Sequence, residues 1–311
     1  MSTTSRVSSR LLLAIVSAGV LATPAAATPV KNTKSAKETS AYWTSERMKN
    51  AKPRERAKPG GGGGGATPAD WSRFTVPLVG GAYAAENRKN GKVFMTIDRV
   101  NYVCSGTAVT STSAGVNLVW TAGHCTTDGP GHTATNFMFV PGYYNGQEPN
   151  GRWAFTTIDS TPGWEAQGTD RFRYDVGAAR VVNTTNASAT FAGTIGTRPI
   201  AFGQNPTGKR LVSYGYPAAR PFNGTQQYAC ASPFRRWDTA TLLDPMQISC
   251  DMTGGSSGGG WFLDTNANSV ADAGEPLVSV NSYGYSNEKN TMYGPYMAVG
   301  GQAQALYNAL D

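Results

Sequence analysis

Short strand-like runs separated by turn-forming residues are the feature that most constrains the fold of this chain. From Trp71 onward, runs rich in Val, Ile, Phe, Tyr and Thr alternate with clusters of Gly, Asn, Pro and Asp. This spacing is typical of all-β proteins. The runs are Lys92–Ile97, Tyr102–Thr110, Val116–Thr121, Phe137–Val140, Trp153–Ile158, Val176–Val182, Gly208–Ser213, Leu277–Asn281 and Tyr293–Val299. Helical spacing is seen at Gln302–Leu310, so we expect an all-β domain with a short C-terminal helix.

The first 27 residues have the composition of a secretory signal. Arg6 and Arg10 precede an apolar stretch from Leu11 to Ala22, and Ala25–Ala27 supplies small residues for cleavage before Thr28. No other segment approaches the roughly 18 uninterrupted apolar residues of a membrane-spanning helix. We therefore expect a secreted, extracellular protein that has no membrane partner once the signal is removed.

Residues 28–70 are polar and basic, and positions 60–65 are six consecutive glycines. Such a segment is expected to be a disordered pro-region or linker. Lys52–Arg56 offers basic bonds that a processing protease could cut, although a tail that is never removed fits the composition equally well. The remaining residues, 71–311, suffice for one large domain or for two small barrels around a shared site.

The net charge of +7 does not indicate an acidic partner, because it is unevenly distributed. Residues 1–70 contain 11 Lys/Arg and 4 Asp/Glu, whereas residues 71–311 contain 16 of each. The folded domain is therefore neutral. A nucleic-acid-binding function is not expected.

Four cysteines in an exported protein favour two disulfides. Four cysteines permit three pairings, and the spacing favours Cys104–Cys125 and Cys230–Cys250. Each bridge would close a loop of about 20 residues and add about 3 kcal/mol of stability. The spacings are too wide for paired zinc-ligand motifs, so no metal site is expected at the cysteines.

A candidate general base is His124, one of two histidines in the chain. It follows an apolar run and precedes Cys125, so a disulfide would hold it rigidly at a strand end. His132 lies in a turn-rich loop and is expected to be solvated. An orienting carboxylate is also needed. Asp175 opens a strand-like run and is favoured over Asp170, which lies among polar and basic residues.

A candidate nucleophile lies in the glycine-rich stretch Gly254–Gly260. An attacking serine needs a tight turn whose backbone N–H groups converge on the developing oxyanion. Ser257 has Gly255 two positions before it and Gly258 after it, whereas Ser256 is followed by another serine. Ser257 is therefore the favoured nucleophile. The N–H groups of Gly255 and Ser257 are the expected oxyanion hole.

These motifs resemble those of a known family. Thr121–Cys125 (TAGHC), Asp175–Gly177 (DVG) and Gly255–Gly259 (GSSGG) occur in the order His, Asp, Ser. From about Val93 to Leu306 the chain resembles chymotrypsin-like serine endopeptidases, above all the secreted bacterial trypsin-like and glutamyl-endopeptidase branch. The resemblance implies two antiparallel β-barrels, at about 75–185 and 195–300, with the active site between them. It also implies an acyl-enzyme mechanism acting on protein or peptide substrates.

The chain departs from animal trypsins beside the nucleophile. Their aspartate, which pairs with a newly freed N-terminus, is replaced by Ser256. Leu78–Gly81 resembles their activation site, yet its amino group would lack that partner. We therefore expect activation of any zymogen to consist of removing the pro-region.

The residue preference of the expected protease rests on three positions. Asp251 lies six residues before Ser257, where trypsin-like enzymes carry the acid that binds Lys or Arg, and Ser282–Gly284 resembles the segment that pairs with substrate backbone and forms a pocket wall. Asn281 stands where glutamyl endopeptidases have a histidine. These residues favour cleavage after basic residues, while the alternative for Asp251 is a structural acid beside Cys250.

The loop from Asp264 to Glu275 has the ligand spacing of a calcium loop. Oxygen-bearing side chains fall at loop positions 1, 3, 5, 9 and 12, namely Asp264, Asn266, Asn268, Asp272 and Glu275. Position 6 is Ser269 instead of glycine, and the flanks are strand-like. A polar hairpin tip without calcium is the favoured interpretation, and a structural calcium ion is the alternative. No cofactor is expected for catalysis.

Two functions from other classes remain open. One is a protease-fold binding protein without activity, against which the complete set of His124, Asp175 and Ser257 argues. The other is a secreted esterase using the same chemistry, and Ser282–Gly284 favours peptides over esters. We expect the protein to act as a monomer.

Overall fold

The computed structural model describes residues 28–60, 69–238 and 244–311. The expected signal peptide at 1–27 and the glycines at 61–65 lie outside the described residues. In the described part of the chain, no helix is long and apolar enough to cross a membrane. Most of the regular structure is β, which confirms the expected fold class.

Residues 30–58 differ from the expected disordered pro-region, because they fold against the domain. Trp43 is the main anchor: it is 1% exposed, its ring centroid lies 5.4 Å from that of Phe94, and its Nε1 donates to the Asn136 carbonyl oxygen at 2.6 Å. A buried tryptophan contributes apolar area that the average composition of a segment conceals.

The helices and strands of residues 30–58 are β1 (Val30–Lys31), α1 (Ala36–Tyr42), α2 (Ser45–Asn50), β2 (Lys52–Pro53) and β3 (Ala57–Lys58).

The first barrel is a closed ring of six antiparallel strands, ordered β11-β10-β7-β8-β9-β12 with β12 pairing back to β11. On β7, Val93, Met95 and Ile97 face the barrel core, while Phe94 faces outward and meets Trp43. This period of two is the expected alternation of a strand. The elements from residue 72 are β4 (Ser72–Thr75), β5 (Leu78–Val79), β6 (Ala82–Tyr83), β7 (Asn90–Ile97), β8 (Val100–Val109), β9 (Leu118–Thr121), β10 (Thr135–Pro141), β11 (Trp153–Ser160) and β12 (Gly177–Asn183).

The second barrel consists of a five-stranded sheet, β18-β17-β13-β14-β4, and a three-stranded sheet, β15-β16-β20. Leu211, Ile248 and Trp261 belong to the apolar cluster that joins the two sheets. Besides β4, its strands are β13 (Arg210–Gly215), β14 (Tyr228–Pro233), β15 (Arg236–Trp237), β16 (Met246–Ser249), β17 (Gly260–Asp264), β18 (Leu277–Val280) and β20 (Thr291–Gly294). Strand β19 (Gly284–Tyr285) forms a separate two-stranded sheet with β3.

Three short helices complete the domain: α3 (Pro162–Glu165), α4 (Phe191–Thr194) and α5 (Gln302–Leu310). The expected C-terminal helix is confirmed as α5. It buries Leu306 and Leu310 in the core of the first barrel, and Arg180 of β12 donates to the Leu310 carbonyl oxygen at 2.6 Å. The helix is therefore fastened to the barrel at its C-terminal end.

Both disulfides have the expected pairing. Cys104 on β8 is bonded to Cys125, which follows β9, and Cys230 on β14 is bonded to Cys250, which follows β16. The first bridge lies beside the turn that carries His124. The second joins the two sheets of the second barrel.

Candidate active site

His124 lies in a single turn of 3₁₀ helix directly after β9, and it is fully buried. The preceding residue must be a glycine, because a Cβ on Gly123 would lie 2.7 Å from Cγ of Trp164. The disulfide at Cys125 fixes the other side of the turn. The imidazole is thus held from both sides. In contrast, the other histidine, His132, is 54% exposed and lies 2.8 Å from Asp98.

Asp175 orients His124 through two hydrogen bonds. His124 Nδ1 lies 2.8 Å from Asp175 Oδ2, and the His124 backbone N–H donates to Oδ1 at 2.8 Å. The Ser282 hydroxyl donates a third hydrogen bond, to Oδ2. Asp175 is fully buried just before β12, whereas its competitor Asp170 is exposed. Of the two candidate acids, the structure therefore brings Asp175 to the histidine.

The charge states of this pair follow from burial and mutual attraction. Burial is the largest influence on His124 and lowers its pKa, while the charge and hydrogen bond of Asp175 act in the opposite direction. Burial raises the pKa of Asp175, but attraction to His124 and hydrogen bonds from His124 and Ser282 outweigh it, so this pKa is lowered. At neutral pH the pair is a carboxylate beside a neutral imidazole. That is the state a general base requires.

Ser257 sits in a turn that requires glycine two positions before it and directly after it. Gly255 and Gly258 have φ values of +96° and +81°, in the left-handed region. A Cβ on Gly258 would overlap the Thr121 hydroxyl and the Ser105 carbonyl oxygen. The turn is thereby pressed against the strand that leads to His124. The carbonyl oxygen of Ser257 lies 3.7 Å from Cys125 Sγ.

The two adjacent serines have different partners. The Ser256 hydroxyl donates to the Thr253 carbonyl oxygen at 2.8 Å, inside its own loop. The Ser257 hydroxyl instead donates to the carbonyl oxygen of Arg54 at 3.1 Å, across the cleft between the barrels. Asn281 steadies this loop, since its Nδ2 donates to the Ser256 carbonyl oxygen at 3.0 Å.

The segment Lys52–Lys58 passes through this cleft. Strand β2 pairs in parallel with β8, and β3 pairs in parallel with β19. Between them, the Arg54 carbonyl oxygen accepts hydrogen bonds from the Gly255 N–H at 2.9 Å and from the Ser257 hydroxyl. Among the described residues none hydrogen-bonds Nε2 of the buried His124.

The side chain of Arg54 also engages the site. Its Nε donates to the His124 carbonyl oxygen at 3.2 Å, and its Nη2 pairs with Asp128 at 2.5 Å. These contacts of the segment were not predicted from the sequence. A signal for an extended segment was present, because every second residue is basic, with the period of a strand, at Lys52, Arg54, Arg56 and Lys58.

A cavity of about 320 Å³ lies beside Ser257. It is lined by all three residues expected to form the specificity pocket, Asp251, Ser282 and Gly284, and by Glu55 of the bound segment. Asp251 Oδ2 forms an ion pair with Arg73 Nη1 at 2.8 Å, which partly balances its charge. The Ser282 hydroxyl donates to Asp175 and the Ser282 backbone N–H donates to the Tyr293 carbonyl oxygen at 2.9 Å, so both donors of this residue are already engaged.

The loop from Asp264 to Glu275 joins strands β17 and β18, and its own amides bind its carboxylates. The N–H groups of Asn268 and Ser269 donate to Asp264 at 3.0 and 3.1 Å, and that of Asp272 donates to Glu275 at 2.8 Å. Within the described residues, these acids do not converge to 4.8 Å of one another as metal ligands would. In this structure the loop is a hairpin tip whose backbone N–H groups donate to its own carboxylates.

Two solved bacterial protease structures are similar to this chain over most of its length. The protease Anisep from Arthrobacter nicotinovorans is 37% identical, with a TM-score of 0.62 over 72% of this chain and 95% of that one. The thermostable serine protease AL20 from an extremophilic microorganism is 36% identical, with a TM-score of 0.63 over 73% and 98%.

A Glu endopeptidase structure shares the fold, with 21% identity and a TM-score of 0.57 over 78% of this chain and 97% of that one. No protein-family model and no curated protein sequence matches the chain. The two relatives above one-third identity cover more than two-thirds of both chains and agree with the double-barrel fold. The chain belongs to the bacterial chymotrypsin-like serine proteases.

Proposed function

We propose that this protein is a secreted serine endopeptidase that acts as a monomer through His124, Asp175 and Ser257. The observation that carries the proposal is the buried His124–Asp175 pair, 2.8 Å apart, beside a serine whose flanking glycines cannot be replaced without overlap. Ser257 Oγ attacks the scissile carbonyl while His124 Nε2 accepts its proton and Asp175 stabilises the imidazolium.

The remaining steps use the same groups. The Gly255 and Ser257 N–H groups stabilise the oxyanion, and His124 then donates its proton to the leaving amine. Water, deprotonated by His124, hydrolyses the ester that joins the acyl group to Ser257. Supporting this assignment, the Gly255 N–H already donates to a peptide carbonyl oxygen, that of Arg54.

An organophosphonate probe tests the chemistry. It is expected to label the secreted protein and the Ser256→Ala variant but not Ser257→Ala, because the Ser256 hydroxyl is bonded within its own loop. Failure to label the wild type would instead favour an inactive binding protein. If labelling occurs, hydrolysis of an ester without hydrolysis of the matching peptide would favour an esterase.

Residues 52–58 are proposed to keep the newly made enzyme latent as a zymogen. Arg54 supplies the carbonyl oxygen to which the Ser257 hydroxyl donates, so that hydrogen is not directed to His124. Removal of the segment, without any cut between Leu78 and Val79, is the proposed activation. N-terminal sequencing of the active protein tests it, and the expected N-terminus lies between Lys58 and Ser72, since β4 begins at Ser72 and pairs with β14. An active form that begins at Val79 would overturn it.

Cleavage after basic residues is the proposed preference, carried by Asp251 in the cavity beside Ser257. A peptide-library cleavage profile tests it. The expected profile favours Lys or Arg immediately before the scissile bond, and the Asp251→Asn variant is expected to lose that preference. A profile with no such preference would leave Asp251 as a partner of Arg73 only.

A further inference from the structure

A second acidic site lies farther along the same cleft, at Asp238. The Lys58 ammonium of the bound segment forms an ion pair with Asp238 Oδ2 at 2.9 Å. The same nitrogen lies 4.4 Å from the ring centroid of Tyr283, 5.0 Å from that of Phe172 and 5.4 Å from that of Tyr285. The cation is thus held by a carboxylate and by the hydroxyl oxygens of Tyr283 and Tyr285, at 3.3 and 3.5 Å, with the three aromatic rings around it. Contacts of both kinds favour a positive charge.

The acid is positioned by groups that do not belong to the segment. The Tyr283 hydroxyl donates to Asp238 Oδ2 at 2.6 Å, and the Tyr285 hydroxyl donates to Oδ1 at 2.8 Å. The Asp238 backbone N–H donates to the Pro245 carbonyl oxygen at 2.8 Å. The Asp238 side chain is 1% exposed. The carboxylate is therefore oriented by the domain itself, whichever cation binds to it.

The charge balance also favours a cation at this point. Behind the tyrosines, Arg236 pairs with Glu288 at 2.9 Å. Once Lys58 leaves, the group formed by Arg236, Glu288 and Asp238 carries one net negative charge. The Asp238 carboxylate would then keep its two tyrosine hydrogen bonds but lack an ion-pair partner, so a second cation is favoured there.

The position of this pocket places it on the path of a substrate. Lys58 comes four residues after Arg54, whose carbonyl oxygen contacts Ser257, and an extended chain covers about 13 Å in that interval. A substrate that places the residues before its scissile bond along the same path therefore runs in the opposite direction to the segment. Strand β19 pairs with β3 of the segment and begins at Gly284. Ser282–Gly284 lines the cavity that is proposed to bind the residue before the scissile bond. A substrate that follows this wall therefore reaches Asp238 with a residue several positions before the bond that is cut.

We infer that Asp238, Phe172, Tyr283 and Tyr285 form a binding subsite for a lysine or arginine side chain located three to five residues before the scissile bond. The inference rests on the proposed endopeptidase function. In this scheme Lys58 of the segment occupies the subsite first, and the side chain of a substrate then replaces it. Asp238 is a substrate-binding residue in this scheme, separate from Asp251.

The test uses enzyme produced from the full-length chain and purified from the culture medium. Quenched peptides share one cleavage site and carry either lysine or the uncharged norleucine at the third, fourth or fifth residue before it. The wild type is expected to show a kcat/KM about tenfold higher for lysine at one of these positions. Asp238→Asn is expected to reduce that ratio to about one.

Two further variants sharpen the result. Tyr285→Leu, which removes one ring at the surface, is expected to lower the ratio about threefold. Asp98→Asn removes the same charge from the exposed partner of His132 and is expected to leave the ratio unchanged. No lysine preference in the wild type, or a preference that survives in Asp238→Asn, would overturn the subsite. No cleavage of any peptide would instead contradict the proposed protease function.

Discussion

The carbonyl oxygen of Arg54 lies 3.1 Å from Ser257 Oγ and accepts its hydroxyl hydrogen. The same oxygen accepts the Gly255 N–H at 2.9 Å. A peptide carbonyl from one end of the chain is therefore bonded to the two groups expected to act on a substrate carbonyl. The hydroxyl hydrogen points at this oxygen instead of at His124, so we expect the contact to inhibit without leading to cleavage.

A synthetic peptide of residues 28–60 is expected to inhibit the mature enzyme competitively and to remain uncleaved after Arg54. Steady-state kinetics and mass spectrometry of the peptide measure the two effects. A Trp43→Ala peptide should bind at least tenfold more weakly, because loss of a buried tryptophan costs about 3–5 kcal/mol. Rapid cleavage at Arg54, or equal inhibition by both peptides, would contradict the assigned binding mode.

The pH dependence of activity is expected to reflect the buried His124. Its ordinary pKa is 6.5, and burial lowers it. Because the neutral imidazole is the active form, kcat/KM should persist below pH 6.5 and fall only as the pH drops through the lowered pKa. An acid limb above pH 6.5 in the pH profile would show that the attraction to Asp175 outweighs burial.

Asp175→Asn is expected to lower kcat by about 10⁴, because the amide cannot hold the imidazole in the tautomer that accepts a proton at Nε2. The acid limb should also move to lower pH, since the carboxylate raises the pKa of His124. Asp170→Asn is the control, as this exposed acid lies at the start of the turn before Asp175. Equal losses in the two variants would refute the role given to Asp175.

Ser282→Ala is expected to lower kcat about tenfold with little change in KM, because the Ser282 hydroxyl donates to the Asp175 carboxylate and not to substrate. Ser279→Ala is a matched control: its hydroxyl is equally buried and donates to the Pro295 carbonyl oxygen at 2.8 Å. Both variants should lose about 1 kcal/mol of stability in urea denaturation, but only Ser282→Ala should lose turnover. Similar kinetics in the two would remove Ser282 from the positioning network.

Gly258→Ala is expected to destabilise the fold by about 3 kcal/mol or more, because its Cβ overlaps the Thr121 hydroxyl and the Ser105 carbonyl oxygen. Gly115→Ala is the control, with a similar φ of +79° but nothing within 4 Å of the added Cβ. It should cost only about 1–2 kcal/mol for the left-handed conformation. Urea denaturation measures both, and equal losses would mean that the turn beside Ser257 can relax.

The loop from Asp264 to Glu275 is expected to keep its shape without calcium, since backbone N–H groups already occupy its carboxylates. The melting temperature should be the same with millimolar calcium and with EDTA. A clearly higher melting temperature in the presence of calcium would instead support the alternative of a structural ion. Asp264→Asn would then be expected to abolish that rise.

Sequence reasoning worked best where local pattern and chemistry coincide. Strands such as β7 and β11 are rich in large apolar and β-branched residues. The candidate catalytic residues lie beside glycines that the local turns require. Strand β14, with the sequence YACASP, was missed because small residues there pack against a disulfide and leave little periodic signal. The last run, Tyr293–Val299, is strand only to Gly294, after which Pro295 ends the pairing.

Contacts between distant parts of the chain could not be predicted from local sequence patterns. Arg54 lies 203 residues from Ser257, and Lys58 lies 180 residues from Asp238. Average composition made residues 28–70 resemble a linker, although Trp43 and the capping residues Ser35 and Glu38 were visible signals of local order. Such pairings depend on how the two barrels face each other, which local spacing does not determine.

The bridge between Cys104 and Cys125 has a consequence for the cell that makes this protein. Thiols stay reduced in most cytosols, so the cross-link beside His124 would form only after the chain has left that compartment. If the chain is exported as proposed, the turn bearing the imidazole lacks its covalent brace before export, and the Arg54 carbonyl covers the serine after export. We therefore expect the producing cell to be protected from the enzyme first by the missing disulfide and then by the segment.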